Sequence, residues 1–179
     1  MGRNVKVFSK CYLWGWNILI FVTVGTQKFQ FNRLFEYLDN KVANEKITDK
    51  IFAQIGNSTY IPKNYEYKKF LDKEEFENII DRASIVITHA GVGTIIFSIK
   101  KRKKTIVVPR LKKYREHVDD HQLQIAKTFS NKEFVINNGE NIEELLVNIE
   151  RANEKKFNKY YSSNKKIQNI IEEFLLNNL

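Results

Sequence analysis

The chain has 179 residues, a formal net charge of +9, 42% hydrophobic and 28% charged residues, and one cysteine; this suits one domain, or one with a tail, with apolar side chains enough for a core. Cys11 alone forms no intrachain disulfide, which fits a reducing compartment, and no apolar run approaches the roughly 18 residues of a membrane span. The basic balance attracts polyanions, yet no nucleic-acid-binding module is present, so nucleic acid is not an expected partner.

Residues 1–17 read as an N-terminal extension. Lys10 interrupts them and no small-residue cleavage site follows, which argues against a signal peptide. Tyr12, Leu13, Trp14 and Trp16 form an aromatic cluster suited to a membrane interface, a partner, or folding back on the core. Ile18–Val24 is almost continuously apolar, as a strand buried on both faces would be. Residues 31–43 predict a helix with Phe31, Leu34, Phe35, Leu38 and Val42 on one face. Lys50–Ile55 predicts a strand stopped by Gly56-Asn57-Ser58, and Tyr65–Leu71 a weaker one. Asp72 followed by Glu74 and Glu75 is a helix-capping signature, with Phe76, Ile79, Ile80 and Ala83 at helical spacing behind it.

Ile85–Thr88 predicts a short buried strand, and Val92–Lys100 a helix whose end carries the basic run Lys100–Lys104. Thr105–Pro109 predicts a strand, Val118–Phe129 a helix, and Phe134–Ile136 a last strand. Helices follow at about 141–152 and 165–177. Strands alternating with helices imply crossover connections, hence an α/β fold: a Rossmann-like, mainly parallel sheet with helices on both faces. The reading divides the chain into a domain over 18–152 and, over 153–179, a polar connection with an amphipathic helix carrying Ile167, Ile170, Ile171, Phe174, Leu175 and Leu179.

Open sheets of this kind bind ligands at the carboxyl ends of their strands. Three loops there carry chemistry. Gly25-Thr26-Gln27 combines a flexible turn with neutral hydrogen-bonding groups. Thr88-His89-Ala90-Gly91-Val92-Gly93-Thr94 places two glycines and a threonine at a helix start, where free N–H groups and the dipole favour a phosphate. The third loop holds Arg110, then Glu116-His117-Val118-Asp119-Asp120-His121-Gln122. All three histidines of the chain, His89, His117 and His121, fall in these loops. His117 and His121 are four apart and would share a helix face, but no further Cys or His completes a ligand set, so no metal is expected. His89 and Glu116 are the candidate catalytic groups, without a nucleophile: no serine sits on a Gly-x-Ser-x-Gly elbow.

In this order, Phe21–Gln27, Ile87–Thr94, Val107–Arg110 and Glu116–Gln122 resemble the PssE/EpsF type of bacterial polysaccharide glycosyltransferase subunit. That group is related to the carboxyl-terminal domain of glycosyltransferase family 28, which includes the MurG-type peptidoglycan enzyme, and to the soluble half of the split N-acetylglucosamine transferase of eukaryotic N-glycan assembly. The resemblance covers roughly residues 18–150. It implies the C-terminal, donor-binding half of a GT-B glycosyltransferase, with UDP-sugar as substrate and no cofactor. It further implies a membrane-anchored PssD-like acceptor-binding partner, a lipid-diphosphate-linked glycan acceptor in exopolysaccharide or capsule synthesis, and a peripheral place on the cytoplasmic face of the membrane. Carried over by position, Gly25, Thr26 and Gln27 line the cleft, and His89, Ala90, Gly91, Gly93 and Thr94 face the diphosphate. Arg110, Glu116 and His117 shape the pocket, and His121 and Gln122 reach the transferred sugar. Related transferases often carry a ribose-binding glutamate where this chain has Phe97. That departure keeps a second reading open, a non-catalytic nucleotide-sugar-binding or scaffold subunit that enhances a partner.

Overall fold

The structure, a computed structural model, describes residues 19–160. The N-terminal extension and the amphipathic helix expected at 165–177 lie outside these residues. The elements run β1 (Leu19–Thr23), α1 (Asn32–Ala43), β2 (Lys50–Gln54), β3 (Glu66–Lys68), α2 (Lys73–Arg82), β4 (Ile85–Thr88), α3 (Val92–Lys100), β5 (Lys104–Val107), α4 (His121–Asn131), β6 (Ile136–Asn137) and α5 (Glu144–Glu154). A single 3-10 turn, Lys112–Tyr114, lies between β5 and α4. The six strands form one sheet in the order β3-β2-β1-β4-β5-β6, and every pairing is parallel.

Side chains alternate across a strand, so adjacent apolar residues serve opposite faces. Ile20, Val22, Ile85, Ile87 and Ile106 pack on Leu34, Phe35 and Leu38 of α1 and on Leu145, Ile149 and Ala152 of α5. Phe21, Phe52 and Val86 point the other way, onto Ile80 of α2 and the partly buried Phe76 and Phe97. Val107 shares that second face with Ile95 and Ile99 of α3 and Ile125, Ala126 and Phe129 of α4. Helices therefore cover both faces of a parallel sheet, which is why the strands read as unbroken apolar runs rather than alternating ones. No helix among the described residues is long and apolar enough to cross a membrane.

Local signals explain most boundaries. Asp72 caps α2 by accepting a hydrogen bond from the Glu75 N–H at 2.8 Å, and the Glu75 side chain returns to the Asp72 N–H to close a capping box. Asp39, 2% exposed on α1, accepts from Tyr60 Oη at 2.7 Å and from the backbone N–H groups of Lys63 and Asn64. It pins the connection between β2 and β3 to the helix. Three elements differ from the sequence reading. The last strand, expected at Phe134–Ile136, is Ile136–Asn137, the part that pairs with β5. The third strand keeps only Glu66–Lys68 of Tyr65–Leu71, the part that finds β2 as partner. The helix expected from Val118 starts at His121, because Asp119 and Asp120 turn their carboxylates onto backbone N–H groups, of His121 at 3.1 Å and Lys112 at 2.8 Å.

Candidate functional site

The sheet register sets the three loops side by side. Thr23 pairs with Thr88, and Thr88 with Val107, so β1, β4 and β5 end in one row. The chain leaves β1 toward β2 on one side, and β4 flanks it on the other. That reversal of strand order opens a crevice between the first two loops.

His89 fills the base of that crevice. It is 7% exposed, with its ring wedged between two glycines. A Cβ on Gly91 would stand 2.4 Å from His89 Nε2, and one on Gly25 would stand 2.9 Å from His89 Cε1. Gly25 also has φ +71, a left-handed conformation that side chains rarely adopt. Gly25 and Gly91 thus clear space for an imidazole. Open room lies at Gly93, where an added Cβ meets nothing within 4 Å.

Burial and the nearby Arg110 charge push the His89 pKa down to about 3, against a hydrogen bond to the Thr23 backbone that favours the charged ring. His89 is therefore neutral in the folded chain. Between the unperturbed 6.5 and about 3, the unfolded chain binds a proton that the folded chain refuses, so His89 lowers stability as pH falls through that window. His89→Gln should flatten the acid limb: urea midpoints between pH 7 and pH 4 fall less than in the wild type. Parallel limbs would refute the assignment.

Helix α3 begins directly behind this ring. Its N-cap, Gly91, supplies no side-chain cap, and no acidic residue occupies the first turn. The first N–H groups of a helix have no intrahelical partner, and with the dipole they make a site for an anion. Gly93 is exposed and Thr94 half-buried there.

The third loop is tied down by buried polar bonds. Arg110 is 0% exposed, and its Nη2 donates to the carbonyls of Val24 at 3.1 Å and Phe29 at 3.0 Å, holding the first loop. Its Nε and Nη1 have no acceptor among the described residues. Burial lowers its pKa to about 10, against the favourable charge of Glu116, so the group stays cationic at neutral pH. Gln122, 3% exposed, accepts the Arg110 backbone N–H at 3.0 Å. Glu116 is fully buried and receives Arg33 bidentately, Nε at 2.9 Å and Nη2 at 3.0 Å, plus the Leu111 N–H at 3.0 Å. Both of its oxygens are occupied.

His117 and His121 do not share a helix face, since α4 starts only at His121. They meet instead around Asp119. Asp119 Oδ1 lies 3.2 Å from His117 Nδ1, touches His121 Nδ1, and accepts the His121 backbone N–H. The two imidazoles stand edge to face at 4.6 Å, and Phe29 packs on His117 at 4.5 Å. Thr26 and Gln27 are exposed at the rim. Phe97 turns away from this row to pack on Phe76, ring centres 5.9 Å apart.

Three contributors escaped the sequence reading. Arg33 and Glu116 are 83 positions apart, and nothing local links them. Phe29 had no motif. Asp119 stands between two histidines, but a pattern of Cys and His ligands does not count a carboxylate.

Residues 19–174 match the glycosyltransferase family 28 C-terminal domain. Over 117 residues the chain is 32% identical to the UDP-N-acetylglucosamine transferase subunit ALG13 of Homo sapiens, a match covering 60% of this chain and 10% of that protein. The chain thus spans about a tenth of that relative's length. Among solved structures it resembles the glycosyltransferase of kitacinnamycin, with TM-score 0.61 and 15% identity over 87% of this chain and 39% of that one. It also resembles the solution structure of ALG13, with TM-score 0.54 and 17% identity over 86% and 94%. The Rossmann-like sheet is that of the C-terminal half of a GT-B glycosyltransferase.

Proposed function

Because the chain belongs to the glycosyltransferase family 28 C-terminal domains, we propose that it is the donor-binding subunit of a two-component transferase that moves a sugar from a UDP-sugar to a lipid-diphosphate-linked glycan. The observation that carries this reading is the uncapped start of α3, with open space at Gly93, beside the reversal of strand order. The diphosphate lies on the N–H groups of Gly93 and Thr94, and the exposed Thr26 and Gln27, with the half-buried His121, face the uridine and sugar. His89, Arg110, Glu116, His117 and Gln122 hold the loops. The acceptor hydroxyl displaces UDP in one inverting step, and the helix start stabilises the charge that develops on the departing diphosphate. Glu116 is occupied by Arg33, and His89 is buried, so the acceptor's proton goes to a base on the partner. That partner is a membrane-anchored, PssD-like acceptor-binding subunit, which would keep this chain on the cytoplasmic membrane face, and the pair serves polysaccharide or capsule synthesis.

Isothermal titration with UDP, UDP-glucose, UDP-galactose, UDP-glucuronate and UDP-N-acetylglucosamine tests the reading, the last suggested by the name of the human relative. Binding of UDP and of one sugar above the others is expected. No binding to any, alone or with the partner, sinks it. Phe97, packed on Phe76 where related enzymes often carry a glutamate, favours a second reading in which this chain only enhances a catalytic partner. His121→Ala distinguishes the two: it leaves the complex assembled in both, and abolishes turnover only if the donor site is here.

A further inference from the structure

We propose that His117, Asp119 and His121 form a site for a borderline divalent transition ion of the Zn2+ type, at the outer edge of the third loop. One atom from each side chain lies within 4.8 Å of the other two. Around a tetrahedral ion with bonds of about 2.0–2.2 Å, ligand atoms stand roughly 3.4 Å apart, so modest side-chain rotation closes the set.

The hydrogen-bond geometry of the cluster argues for a cation. Two imidazole Nδ1 atoms and the His121 backbone N–H converge on the one oxygen Asp119 Oδ1. If both rings carry a proton on Nδ1, three donors compete for about two lone pairs. If either ring does not, its lone pair faces a carboxylate. One ion in place of the ring protons satisfies both imidazoles and the carboxylate together.

The frame is already in place. Phe29 packs on His117 and the rings of His117 and His121 abut, which keeps both imidazoles beside Asp119 and leaves only small rotations to close the set. All three ligands come from five consecutive residues, so closure orders little extra chain. Two imidazoles with one carboxylate suit Zn2+ and its neighbours, whereas Mg2+ and Ca2+ require oxygen ligands throughout. Three protein ligands leave a coordination position open, and the Asp119 side chain, 54% exposed, keeps it accessible to water or a ligand oxygen.

The inference is independent of the donor reading, because it is tested without nucleotide. Full-length chain is titrated calorimetrically with ZnCl2, and with Co2+ by absorption. One ion per chain is expected, with affinity falling at least about tenfold in His117→Ala, His121→Ala and Asp119→Asn, the order of loss seen when a metal's supporting contacts are removed. Cys11→Ser should leave it unchanged, and Mg2+ should not compete. Circular dichroism confirms that each variant is folded, and Asp119→Asn, the mildest change, stands in should an alanine variant not fold. Zn2+ binding that is absent, equal across the loop variants, or lost only in Cys11→Ser overturns the site.

Discussion

Gly91→Ala is expected to lower UDP-sugar affinity by about tenfold or more and to destabilise the chain, as overpacking by about 1–3 kcal/mol would. The new Cβ would stand 2.4 Å from Nε2 and 2.6 Å from Cε1 of His89. The ring has no retreat, because Gly25 and the left-handed turn of the first loop close its other side. Either His89 leaves its place or the start of α3 moves, and the proposed diphosphate contacts move with it. Gly93→Ala is the control. Its Cβ meets nothing within 4 Å, and in a helix interior alanine is favoured over glycine by about 1 kcal/mol, an upper bound for this second helical position. It should keep or raise the urea midpoint while still weakening the ligand, since it fills the space assigned to it. Wild-type binding and stability in Gly91→Ala would remove His89 from the site.

Arg33→Ala should destabilise the chain by about 3–5 kcal/mol, the usual consequence of removing one partner from a buried ion pair. The Glu116 side chain is 1% exposed and Arg33 13% exposed, so the orphaned carboxylate would keep only the Leu111 N–H. Arg33 also donates to the Pro109 carbonyl at 3.2 Å and stacks over Tyr114 at 4.8 Å. A loss of this size is a large share of the roughly 5–15 kcal/mol that holds a domain together. Adding Glu116→Gln to Arg33→Ala should recover part of it, because a neutral amide is easier to bury than an unpaired charge. Urea unfolding of the single and double variants reads both effects. A single-variant loss below about 1 kcal/mol would show that the pair is dispensable.

These two residues also mark how far the sequence could be read. The inner strands were legible because a parallel sheet covered on both faces demands unbroken apolar runs, and Ile85–Thr88 is such a run between turn residues. The short edge strands, Glu66–Lys68 and Ile136–Asn137, carry no such run, and their bounds were misplaced. The cap of α2 was legible because Asp72 and Glu75 interact three positions apart. The position of His89 was not, since a glycine that admits a ligand and one that admits a neighbouring ring look alike in sequence. The pairing of Arg33 with Glu116 depends on α1 packing beside the loop after β5, a relation set only by the fold. Asp119 was hidden differently: helical spacing aligned His117 with His121, whereas the loop's own carboxylates delay the helix.

The brevity of the outer strands limits how the sheet can be extended. β3 has three residues and β6 two, at opposite margins of a six-stranded sheet. An exposed margin is ordinarily a template on which another chain can add a strand, by augmentation in a complex or by stacking in an aggregate. Margins this short offer such a strand only a few main-chain bonds. Among the described residues, then, association by sheet continuation has little to hold, and a companion protein is left to recognise side chains on loops and helices. Among those residues, the same economy of edge gives further copies of the chain little to template on.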